Sequence, residues 1–135
     1  MVRVGSMNGS LAYYPNNLVA AKGDMVQFQF APANHTVTQS TFDNPCAPIA
    51  SHSNITGLSS GYMPVSASAE MTPTYTIMIN DTKPMWLYCA QGKHCQNGMT
   101  MVINEKYVNP RTTRSLFYRD TKVESEILTH KQHQC

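Results

Sequence analysis

The chain has 135 residues, 41% of them hydrophobic and only 13% charged, with a formal net charge of +2. A chain of this length forms one domain able to bury its own core, and so small a charge gives no argument for nucleic acid or acidic lipid as a partner. No apolar run reaches the roughly 20 residues of a transmembrane helix, and low charge with abundant Thr, Ser, Asn, Tyr and Val suits a β-rich domain.

Alternation predicts a first strand over residues 2–7, with a turn at Asn8-Gly9. Tyr13-Tyr14-Pro15-Asn16-Asn17 interrupts the pattern before a short strand over 18–21. Lys22-Gly23-Asp24 turns into a strand over 25–30, whose period of two buries Val26, Phe28 and Phe30. Ala31-Pro32-Ala33 ends it, and residues 35–40 make the next strand. Residues 41–72 read as irregular, punctuated by Asn44-Pro45, Ala47-Pro48, Gly57, Gly61 and Pro64; a segment this long is usually functional or flexible. Alternation returns over 74–79, residues 81–84 turn, 85–89 form a strand, and 99–103 close the domain. Seven or eight short strands with turn signals between them predict an all-β, antiparallel Greek-key sandwich. On the strand 85–89, Met85, Leu87 and Cys89 share one face, which points Cys89 into the apolar interior. Trp86 and Tyr88 face the other way and are expected to pack against the second sheet.

The stretch that follows carries the chemistry. Cys89-Ala-Gln-Gly-Lys-His94-Cys95-Gln-Asn-Gly-Met99 sets a thiolate, an imidazole and a thioether five residues apart. Those are three of the four donors of a blue-copper site, in which two His and one Cys form a trigonal plane with a weak axial Met. The missing imidazole is supplied best by His35, in Asn34-His35-Thr36-Val37, beside β-branched residues after the alternating run 26–30. The predicted ligands of one copper ion are therefore His35, Cys89, His94 and Met99. Three other readings compete. Cys89 and Cys95 could be structural disulfide partners without metal. Cys46, Cys89, Cys95 and His94 could hold zinc, although the short Cys-x2-4-Cys knuckles zinc favours are absent. The fold could also be a degenerate one that has lost its metal, but all four ligand positions stand.

Four Cys allow three pairings. If Cys89 is a copper thiolate, Cys46, Cys95 and Cys135 remain. A Cys46–Cys95 bridge would tie the two ligand-bearing segments together and stabilise the fold by roughly 2–4 kcal/mol, leaving Cys135 as the odd thiol. A persistent disulfide implies an oxidising compartment. Four Asn-x-Ser/Thr sequons begin at Asn8, Asn34, Asn54 and Asn80. Asn54 and Asn80 are the expected glycan carriers, whereas a glycan on Asn34 would crowd His35. The start, Met1-Val2-Arg3-Val4-Gly5, carries no signal-peptide apolar region and reads as a mature start. The expected location is extracellular, with cell-wall association as one form of it.

From Asn109-Pro110 onward the character changes. Charges balance through residue 110, whereas residues 111–135 carry a net +2. The predicted division is a copper-binding domain over 1–108 and a charged tail over 109–135. Leu116, Val123 and Ile127 could share the face of a short helix around 113–128. The leading function is that of a monomeric electron carrier exchanging single electrons with a redox partner protein. The alternatives are a secreted copper-binding or copper-delivery protein and a cell-surface interaction module with a structural metal. An enzyme is disfavoured, because a multicopper oxidase needs further His clusters and only His52, His130 and His133 remain.

The ligand pattern and strand order resemble the cupredoxins, and the Cys-x4-His-Cys-x3-Met loop is similar to that of plant phytocyanins. More closely still, Phe28-Gln-Phe30, Asn34-His-Thr-Val-Thr-Gln-Ser-Thr-Phe-Asp-Asn-Pro-Cys46, Ser60-Gly-Tyr-Met-Pro-Val65 and Asn80-Asp-Thr-Lys-Pro-Met-Trp-Leu-Tyr-Cys-Ala-Gln91 resemble the fungal extracellular cupredoxin-like proteins. Separate blocks match in order over about residues 1–106. The resemblance implies copper ligation by His35, Cys89, His94 and Met99, a Cys46–Cys95 bridge, and secretion. Family members often end in a Ser-rich tail or a lipid-anchor signal, and the charged residues 111–135 depart from that.

Overall fold

Val26, Phe28 and Phe30 are all buried in the computed structural model, which describes residues 1–105. Ten strands form among the described residues: β1 (Val2–Val4), β2 (Tyr13–Tyr14), β3 (Asn17–Leu18), β4 (Met25–Phe30), β5 (Ala33–His35), β6 (Thr38–Ser40), β7 (Met63–Val65), β8 (Thr74–Met78), β9 (Met85–Tyr88) and β10 (Thr100–Ile103). One sheet runs β2-β1-β4-β8 and a second runs β3-β10-β9-β6, with β5 and β7 paired as a separate ribbon. The apolar faces of the two sheets meet in one core. Val2, Val4, Tyr13, Val26, Phe28, Phe30 and Ile77 from the first join Leu87, Met101 and Ile103 from the second. Each such buried side chain contributes roughly 1.5–3 kcal/mol.

The sandwich is as expected, but several local features differ. The pairing is mixed rather than purely antiparallel: β1 runs parallel to β4 and β3 parallel to β10. The strand expected over 2–7 stops at Val4, because Gly5 turns the chain at φ +78°. Tyr13-Tyr14, expected to interrupt the pattern, pairs with β1 instead. The strand expected over 35–40 divides into β5 and β6. Between them, the Thr36 N–H and hydroxyl bond to Cys89 Sγ and the Ala90 N–H. Residues 41–72 contain a short 3-10 turn, Ile49–Ser51, and β7, which pairs with β5. Trp86 does not join the core between the two sheets. It packs with Val102 and Phe42 on the outer face, 4.9 Å from the Phe42 ring centroid. The proposed helix at 113–128, Cys135 and the boundary at 108/109 lie outside the described residues.

Candidate metal centre

Cys89 follows β9 directly and is fully buried, as alternation with Leu87 requires. His35 ends β5 and is also fully buried, whereas His94 lies on the loop after β9 and is partly exposed. Cys89 Sγ is 3.4 Å from His94 Nδ1 and 3.9 Å from His35 Nδ1. The two imidazole rings are 5.1 Å apart and tilted by 50°. All three donor atoms lie within 4.8 Å of one another. Metal bonds of about 2.0 Å to imidazole and about 2.3 Å to thiolate, roughly 120° apart, set nitrogen and sulfur about 3.7 Å apart. The observed spacings straddle that value, so the group fits a single metal ion without rebuilding the chain.

Met99 is fully buried in the same apolar cluster as Cys89. Its N–H donates to the His94 carbonyl at 3.0 Å, and its carbonyl accepts from the Cys89 N–H at 3.2 Å, which closes the loop at its neck. Further bonds run from the His94 N–H to the Gln91 carbonyl and from the Gly98 N–H to the Cys95 carbonyl, at 3.0 and 2.8 Å. Cys46 and Cys95 form a disulfide with Cα atoms 5.7 Å apart, spanning 49 residues. In the loop-entropy picture that closure stabilises the fold by about 4 kcal/mol.

The electrostatics suit ligation of a metal. Burial pushes the Cys89 thiol pKa up, opposed by hydrogen bonds from the Gln91 and Thr36 backbone and the Thr36 side chain. Those same bonds cradle a thiolate once a metal displaces the proton. Burial lowers the pKa of both imidazoles, and the neighbouring His94 charge lowers that of His35 further, so both are neutral ligands at neutral pH. Tyr88 is pushed up to about 12, by burial first and then by the Tyr62 and Cys89 charges, and stays a neutral phenol.

The structure thus brings together His35, Cys89 and His94, with Met99 at the loop neck, and joins Cys46 to Cys95. His52 is exposed and stands apart from this group. Asn54 and Asn80 are exposed, whereas Asn34 is partly buried and bonds through Nδ2 to Gln91 Oε1 at 3.2 Å. Sequence reasoning missed Thr36, whose N–H donates to Cys89 Sγ at 3.4 Å and whose Oγ1 accepts the Ala90 N–H at 2.8 Å. It also missed Gly5: a Cβ there would stand 2.7 Å from His35 Nε2, an atom buried without a hydrogen-bond partner among the described residues. Packing, rather than a hydrogen bond on its far nitrogen, holds that ring. The place of Thr36 directly after His35 was a signal for the first; nothing local in the sequence marks the second.

No family model matches the chain. Two proteins of the fungus Arthroderma benhamiae are similar to it. An extracellular serine-rich protein is 40% identical over 97 residues, 72% of this chain and 36% of that protein. A probable GPI-anchored cupredoxin-1 is 34% identical over 97 residues, 72% of this chain and 46% of that protein. The chain therefore spans less than half the length of these relatives. Among solved structures, a mutant plastocyanin of fern matches with a TM-score of 0.54 and 18% identity, covering 76% of this chain and 95% of that one. A purple cupredoxin of Nitrosopumilus maritimus gives 0.54 and 13%, covering 76% and 94%. A reduced auracyanin of Roseiflexus castenholzii gives 0.52 and 14%, covering 76% and 91%. Such low identities speak to the fold alone. Fold, donor group and fungal homology agree: the chain belongs to the cupredoxin family.

Proposed function

We propose that this domain is an extracellular electron carrier holding one copper ion through His35, Cys89, His94 and Met99. The observation that carries the reading is the buried Cys89 sulfur with two imidazole Nδ1 atoms at 3.4 and 3.9 Å. A type 1 copper bound there would supply one-electron redox chemistry. The Cys89 thiolate and the His35 and His94 imidazoles would be its strong donors, and the Met99 thioether would add a weaker, soft one of the kind copper takes. Burial of Cys89, His35 and Met99 keeps water from the sulfur, which is one determinant of potential. His94 is the most exposed of the four and is the natural edge for electrons to enter and leave. The Cys46–Cys95 bridge adjoins His94 and limits how far the loop can move between oxidation states.

A disulfide beside the site and homologues named for extracellular and GPI-anchored proteins support a place outside the cell. Exposed Asn54 and Asn80 are the proposed glycosylation sites. The partner is a second redox protein, the carrier acts as a monomer, and residues 109–135 form a charged segment appended to the domain over 1–108. Stoichiometric Cu(II) should turn the purified protein blue through charge transfer from the Cys89 thiolate, and Cys89→Ser should abolish the colour while keeping the β-sheet circular dichroism. A wild-type protein that stays colourless would overturn the reading.

A further inference from the structure

Tyr13 is buried at 1% exposure on β2, far in sequence from every donor, and its hydroxyl donates to the Thr36 carbonyl at 2.6 Å. Burial, and then the Cys89 and Tyr88 charges, hold its pKa well above the usual range, so the phenol stays a donor. The Thr36–Val37 peptide that accepts this bond is fixed at its other end, where the Val37 N–H donates to Ser60 Oγ at 2.8 Å. Thr36 itself touches the site twice, through its N–H to Cys89 Sγ and through Oγ1, which accepts the Ala90 N–H and lies 2.9 Å from Thr38 Oγ1. Of these fastenings, the one from Tyr13 comes from the opposite sheet.

We infer that Tyr13 is a positioning residue for the copper thiolate: its hydroxyl clamps the Thr36 backbone from beneath and thereby holds the Thr36 N–H on Cys89 Sγ. This deepens the copper-carrier reading and rests on it. A hydrogen bond to the sulfur withdraws electron density that would otherwise go to the metal, and so stabilises the reduced state. Loss of the clamp frees the Thr36 carbonyl, lets the backbone rotate about Thr36, and so weakens the bond from its N–H and enriches the sulfur. The reduction potential then falls, and the thiolate charge-transfer band moves to longer wavelength.

Tyr13→Phe keeps the ring and removes the donor. One neutral hydrogen bond corresponds to a change of roughly threefold to tenfold in an equilibrium constant. The ratio of oxidised to reduced protein at a fixed ambient potential should therefore rise by roughly that factor, a tenfold change being 59 mV for a one-electron couple. In the metal-free protein, hydrogen exchange at the Thr36 amide should quicken roughly tenfold while that at Met101 in β10 does not. Val2→Ala, which opens a cavity in the same hairpin, should lower stability without moving the potential. If Tyr13→Phe fails to fold, the wild type decides alone. Deuterium at the Tyr13 hydroxyl should then shift the carbon resonance of the Thr36 carbonyl, and no shift overturns the clamp. A blue Tyr13→Phe protein with unchanged potential, or a metal-free one with unchanged Thr36 exchange, also overturns it. A wild type that takes no copper would sink the carrier reading, and the Thr36 exchange would still decide the clamp.

Discussion

The two segments that bring donors to the site are held in opposite ways. The loop from Cys89 to Met99 fastens itself, with N–H bonds from His94, Asn97, Gly98, Met99 and Cys89 to carbonyls within the same eleven residues. The His35–Thr36 segment is fastened from elsewhere: by Tyr13 on β2, by Ala90 beyond β9, by Ser60 in the long connection and by the bare backbone of Gly5 after β1. One half of the centre is a local structure that carries its geometry along the chain. The other is a product of the completed sandwich. Damage distant in sequence from the metal should therefore reach the site through His35 and spare His94.

The largest expected effect tests where the loop's independence ends. Cys95 adjoins His94 but is bonded to Cys46, 49 residues away. Removing both sulfurs, with Cys46→Ala and Cys95→Ala together, should cost about 4 kcal/mol of stability, read from the denaturant midpoint. A loss under about 1 kcal/mol would mean that the hydrogen bonds hold the loop without the bridge. The local half would then be even more self-contained than described.

Gly5→Ala addresses the other half. At φ +78° an alanine is strained by about 1–2 kcal/mol, and its Cβ would stand 2.7 Å from His35 Nε2, so the ring must shift. Stability should fall by about 2 kcal/mol, and copper affinity should weaken about tenfold, which is about 1.4 kcal/mol. Ring resonances of the metal-free protein discriminate the halves: those of His35 should move and those of His94 should stay. Movement of His94 instead would break the comparison.

The same division explains what could be read from the sequence. Cys89, His94 and Met99 were legible because their spacing lies in one uninterrupted loop, and the alternation of Val26, Phe28 and Phe30 announced the sandwich. His35 could be found because the loop lacked an imidazole and Asn34-His35-Thr36 follows that strand. The support beneath it could not. A tyrosine hydroxyl meets the Thr36 carbonyl only once β1 and β2 have docked under β5, and Gly5 looks like any turn glycine until the imidazole is seen against it. The parallel pairings of β1 with β4 and β3 with β10 are likewise set by sheet order, which alternation does not encode. Nor does alternation encode the turn that splits residues 35–40, where the bonds from Thr36 to Cys89 and Ala90 replace a continuous ladder.

The smallest predicted effect is a gain. Ala33 opens β5 at φ 97°, a left-handed conformation that a side chain with a Cβ adopts at a cost. It pairs with Val65 in β7 two residues before His35, so the strained residue sits on the half of the centre with little local support. If the strain were what aims His35, relaxing it would loosen the ring. The contacts argue otherwise, because Gly5 bounds the ring and Tyr13, Ala90 and Ser60 fix the backbone that follows it. Ala33→Gly should therefore raise stability by about 1 kcal/mol, the relieved strain exceeding the added entropy of the unfolded glycine. The visible spectrum and copper affinity should stay as in the wild type. A stabilised protein with weakened copper binding would show that strain at Ala33, and not only the distant fastenings, positions the histidine.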